Sequence, residues 1–68
     1  MYRVTIAAAR VNVGMNQQEA AKALGVSNKT LSKWEKGESF PPVDKVAQMC
    51  DLYKVPYELL NFLPNNSL

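Results

Sequence analysis

Asn28, Lys29, Ser32, Lys33 and Lys36 fall at i, i+1, i+4, i+5 and i+8. On a helix they form one side, built of amide, hydroxyl and ammonium groups. An amide donates and accepts at once, and an ammonium is a compact cation with three donors. Such a face suits nucleic acid, where cations meet phosphates and polar side chains meet base edges. Leu31, Trp34 and Glu35 point the other way. The helix therefore has a largely apolar back to press on a core while its polar face is offered outward. A second polar group lies upstream. Gln17 stands at the start of another short helix, where its amide and the free backbone N–H groups can bind a phosphate.

Other chemistry is poorly provided for. The 68 residues contain no histidine, which removes His-based metal sites and histidine-dependent triads. No glycine-rich phosphate loop is present. Six scattered carboxylates form no obvious acid–base pair. Catalysis is the poorest explanation, and no enzyme activity, cofactor, metal or small-molecule ligand is expected. The net charge is only +2, from eight basic and six acidic residues, but Lys29, Lys33 and Lys36 cluster within eight positions. One cysteine permits no internal disulfide, and a reducing cytoplasm, bacterial or that of a phage host, is expected. No apolar run is long enough to span a membrane, and the opening MYRVTIAAARVNV is too interrupted for a signal peptide.

The elements that must position these residues are helical. At 47% hydrophobic residues the chain suits one small folded domain, expected over 1–64 with a frayed tail at 65–68. Helical spacing dominates and strand signals are weak. A first helix is expected over about Arg3 to Val13, with Ile6, Ala9 and Val13 facing the core and Gly14 stopping it. Asn16 suits an N-cap, and Glu19 completes a capping-box spacing. The second helix spans Gln17 to Leu24, packs through Ala20, Ala21 and Leu24, and ends at Gly25. Ser27 caps a third helix that runs to Lys36 and stops at Gly37. After the proline loop, a fourth helix covers Val43 to Tyr53, with Val46, Met49, Cys50 and Tyr53 as its buried stripe. A fifth is expected over Pro56 to Phe62, closed by Pro64.

This pattern resembles the Cro/repressor (XRE-like) type of helix-turn-helix domain found in lambdoid phage repressors and many bacterial regulators. The likeness covers roughly Ile6 to Leu60. It rests on Gln17, Ala21, Gly25, Val26, Leu31, Trp34, Glu35 and Gly37, then Pro41, Val46, Cys50 (usually alanine) and Val55. It implies an all-α, compact five-helix lambda-repressor-like fold, with helices 2 and 3 as the helix-turn-helix.

The resemblance also assigns roles. The second helix of the unit enters the major groove with its first residues at base edges. Asn28, Lys29 and Lys33 then face bases, where Asn can pair with adenine N6 and N7, and Lys can donate to guanine O6 and N7. Gln17 becomes a phosphate anchor. Asn16, Ser27, Thr30, Ser32 and Lys36 are expected at the DNA backbone. Related repressors hold an arginine against a glutamate at the positions of Arg10 and Glu35, which implies a partly buried ion pair that orients helix 3. Independently of the resemblance, Trp34 is assigned to packing on the apolar back of helix 3, and Cys50 to the core by its place in the apolar stripe of helix 4. The sequence departs from the family just past Gly37. Glu38 stands where many relatives have a basic or amide residue, and it repels phosphate.

The reading is a small transcriptional regulator, a repressor that binds double-stranded DNA as a homodimer on an inverted repeat. Recognition helices would lie about 34 Å apart. Tyr57, Leu59, Phe62 and Leu63 are more apolar than one terminal helix needs, and offer a dimer or partner surface. The rival is a protein-interaction module, an antitoxin or adaptor, that reuses the fold. An architectural or recombination accessory protein is a weaker third.

Overall fold

The computed structural model describes residues 3–62. A two-residue strand β1 (Val4–Thr5) leads into α1 (Ile6–Asn12). Then come α2 (Gln17–Leu24), α3 (Asn28–Lys36) and α4 (Val43–Tyr53). A single 3-10 turn, Tyr57–Leu59, ends in strand β2 (Leu60–Asn61). β1 and β2 pair in parallel, Val4 opposite Leu60 and Thr5 opposite Asn61. Leu63, Pro64 and the expected tail at 65–68 lie outside the described residues. No helix among the described residues is long and apolar enough to cross a membrane.

Helices α2, α3 and α4 have the bounds their punctuation predicts. Gly25 and Gly37 close α2 and α3 in the left-handed region, at φ 74° and 78°. There glycine avoids the Cβ clash other residues meet. In each case the next residue reaches back: Val26 N–H donates to Ala21 O, and Glu38 N–H to Lys33 O. Lys54 closes α4 in the same conformation without being glycine, at φ 59°.

Both ends differ from expectation, and the described residues form four α-helices rather than five. Helix 1 starts at Ile6 and not Arg3, because Thr5 is extended and its hydroxyl accepts from Ala8 N–H as an N-cap. The preceding Val4 and Thr5 are β-branched and suit the ladder with β2. Helix 1 ends at Asn12, so Val13 is a cap residue on the surface and not in the core. Met15 packs against the core from the following turn.

Among the described residues no fifth α-helix forms. Pro56 is extended at ψ 151°, and the turn after it closes once, from Leu59 N–H to Pro56 O. The chain then straightens at Leu60, which buries its side chain and gives its backbone to β1. The pairing satisfies backbone groups that a frayed final helix would leave to solvent.

The core gathers Ile6, Leu24, Leu31 and Met49, all essentially inaccessible, with Trp34, Tyr53 and Leu60 around them. Each large apolar side chain so buried contributes about 1.5–3 kcal/mol. Ala20 and Ala21 are buried too, and their small size lets α2 pack closely with its neighbours. The stripe of α4 splits: Met49 and Tyr53 are buried, while Val46 and Cys50 are only half-buried and line an open groove. Lys45 crosses to α2, where its Nζ donates to Leu24 O at 2.6 Å. It thereby satisfies a carbonyl in the last turn of α2, where a cation is also favoured.

Candidate nucleic-acid interface

The α2–α3 unit presents its polar residues from a fixed base. Asn16 and Glu19 form a reciprocal capping box at the start of α2, both bonds at 2.8 Å. Ser27 caps α3: its Oγ accepts from Thr30 N–H at 3.0 Å and donates to Thr30 Oγ1 at 2.9 Å. The oxygens of Asn16 and Ser27 are therefore already engaged in holding helix ends. Leu31 and Trp34 anchor the back of α3 in the core. Asn28, Lys29, Lys33 and Lys36 are exposed, and Thr30 and Ser32 are half-buried between them. No acidic side chain lies on that outer face of α3; Glu38 follows just beyond it, exposed.

Behind the face, Arg10 and Glu35 form an ion pair. Arg10 Nε donates to Glu35 Oε2 at 2.7 Å and an Nη2 hydrogen goes to Oε1 at 3.2 Å. Both side chains are largely buried. Arg10 Nη1 also donates to Met15 O, fixing the turn between α1 and α2. The bonded carboxylate raises the Arg10 pKa further above its ordinary value. The family resemblance, not any local rule, implied this pair, in which Arg10 offsets the charge of Glu35, the one acid within α3.

Sequence reasoning missed what Gln17 does. Read as a phosphate anchor at the start of α2, it is also half-buried and bonded at both ends of its amide. Its Nε2 donates to Glu35 Oε1 at 2.9 Å, and its Oε1 accepts from Asn28 Nδ2 at 3.0 Å. A line of hydrogen bonds thus runs from α1 through the ion pair to the first residue of α3. The only signal in the sequence was a carboxylate and two amides at positions that helix packing could bring together.

Tyr53 lies near the same pair. Its ring is buried and its hydroxyl has no hydrogen-bond partner among the described residues. Burial, with the Glu35 carboxylate nearby and Arg10 partly opposing, pushes it up to about 12. Cys50 is also raised, mainly by burial.

The expected partner surface is only partly assembled. Tyr57 is exposed, and its ring lies 6.1 Å from that of Phe62. Both line an open apolar groove of about 480 Å³ with Phe40, Val43, Ala47 and Cys50. Leu59 is half-buried and outside that lining, and Leu63 is outside the described residues.

A helix-turn-helix family model matches residues 6–60, most of the chain. The chain belongs to the Cro/XRE-type helix-turn-helix family. It is similar to the cryptic phage CTXphi transcriptional repressor RstR of Vibrio cholerae, 34% identical over 56 residues. That match covers 82% of this chain and 50% of the relative, so the chain spans about half the length of the curated relative it matches. No solved structure matches the chain. The matched span contains the whole of α2 and α3.

Proposed function

We propose that this protein is a transcriptional repressor that binds double-stranded DNA sequence-specifically, with α3 in the major groove. The observation that carries this reading is the exposed Asn28–Lys29–Lys33–Lys36 face, held rigidly by buried Leu31 and Trp34 and by caps at both ends of α3. Membership of the helix-turn-helix family and the likeness to a phage repressor support it.

Asn28, Lys29 and Lys33 read base edges. Gln17, Asn16, Ser27, Thr30, Ser32 and Lys36 hold the sugar–phosphate backbone. One Nε2 hydrogen of Gln17 goes to Glu35, and the other is available to a phosphate. Glu38 limits the ionic contacts, so affinity is moderate and specificity depends on the few base readers.

One domain of this size buries about 600–1,000 Å² on DNA, which is little for tight binding alone. The protein therefore acts as a dimer on an inverted repeat, with two α3 helices about 34 Å apart. The apolar groove around Tyr57 and Phe62 supports such a contact.

The test is selection of bound sites from random duplex DNA, followed by affinity across a salt series. An enriched palindrome and a steep salt dependence are expected. No enrichment and a flat dependence would favour the interaction module instead. Sedimentation of a monomer at high concentration, with and without DNA, removes the dimer.

A further inference from the structure

We infer that Glu35 is a positioning residue for base reading: through Gln17 it fixes which way round the Asn28 amide faces. The argument rests on the base-reading role of Asn28 proposed above, and on the polarity of hydrogen-bonding groups.

Arg10 can only donate, and an ionised carboxylate can only accept. Glu35, gripped by Arg10, therefore presents an acceptor to Gln17. The Gln17 amide must turn its NH₂ group toward Glu35 Oε1, which it meets at 2.9 Å. That leaves Gln17 Oε1, an acceptor, facing α3. Asn28 must then turn its own NH₂ inward, and Nδ2 meets Gln17 Oε1 at 3.0 Å. Each step is forced by the one before.

The far end of the line is what a base would meet. Asn28 retains its Oδ1 acceptor and its second Nδ2 hydrogen. That is the pair of groups that accepts from adenine N6 and donates to N7. A free asparagine presents these two groups in either order, but here the order is set before DNA arrives. An amide at position 35 would remove the constraint, because it can offer Gln17 either a donor or an acceptor. The line could then run in both directions.

The test measures binding of the full chain to duplexes carrying each base pair in turn at every position of the selected site. Asn28→Ala identifies the position that Asn28 reads. Glu35→Gln is expected to flatten the preference at that same position by roughly tenfold. Lys45→Ala, which weakens the fold away from this line, keeps the preference when concentrations are corrected to folded protein.

Flattening by Asn28→Ala with full preference in a folded Glu35→Gln protein overturns the positioning role and leaves the base reader intact. No flattening by Asn28→Ala overturns the base reader itself. A second measurement needs neither variant nor DNA. Side-chain amide exchange in the native protein should show one slow hydrogen on Gln17 Nε2 and one on Asn28 Nδ2. Two equally fast hydrogens on Asn28 Nδ2 overturn the proposal.

Discussion

Arg10 and Glu35 are 25 residues apart in the chain and 2.7 Å apart in space, and their bond ties α1 to the back of α3. Desolvation offsets much of the attraction, so the pair adds little net stability. Removing one partner is another matter, because it strands the other charge. Arg10→Met should lower stability by about 3 kcal/mol, near the total available to so small a core. Urea unfolding should show a lower midpoint with an unchanged slope. An unchanged midpoint would mean the pair is only a surface contact.

Lys54 closes α4 in the left-handed conformation at φ 59°, where a side chain is strained. Its backbone geometry matches that of Gly25 and Gly37, the caps of α2 and α3. Lys54→Gly should therefore stabilise by about 0.5–1 kcal/mol, the relief exceeding the extra chain entropy of glycine. Thermal melting would check this, and a lower Tm would show that the lysine side chain contributes more than its strain costs.

Tyr53 gives the fold an alkaline limit. Its hydroxyl is buried without a partner among the described residues and its pKa is pushed up to about 12, so the folded state holds the phenol proton more tightly than the unfolded state. That contribution is fully present below pH 10 and is lost as pH rises from about 10 to 12. Tyr53→Phe should remove this part of the alkaline decline. At pH 7 it should leave stability unchanged, or raise it by up to about 1 kcal/mol, since no bond is lost. Urea midpoints for both proteins at pH 7, 10 and 12 would decide, and parallel curves would sink the assignment.

The helix-turn-helix was legible because its information is local. Asn16, Gly25, Ser27 and Gly37 each act within a few residues, so they fix helix ends wherever the rest of the chain lies. The ends of the chain were not legible for the opposite reason. Val4 and Leu60 are 56 positions apart, and only their pairing makes each of them a strand. Two residues are too few to show alternation. Gln17 was half-legible: its position at the start of α2 was plain, but its bonds run to Glu35 and Asn28 on another helix. Arg10 and Glu35 came from resemblance, since no local rule joins them.

Lys33 and Lys36 separate two kinds of contact on one face. Both are exposed cations on α3, but Lys33 lies nearer the start of the helix, the end that meets base edges in the proposed docking. Lys33→Ala should cost about 1–3 kcal/mol on the selected site and relax preference at one position. Lys36→Ala should weaken all sequences about equally and reduce the salt slope by about one. Neither should alter folding, since neither side chain is buried in the core. Binding titrations on the selected site and on scrambled duplexes, each across a salt series, test the division. A uniform loss for Lys33→Ala would move it to the phosphates. Base reading would then rest on Asn28 and Lys29, and the order in which Asn28 presents its amide would carry correspondingly more of the specificity.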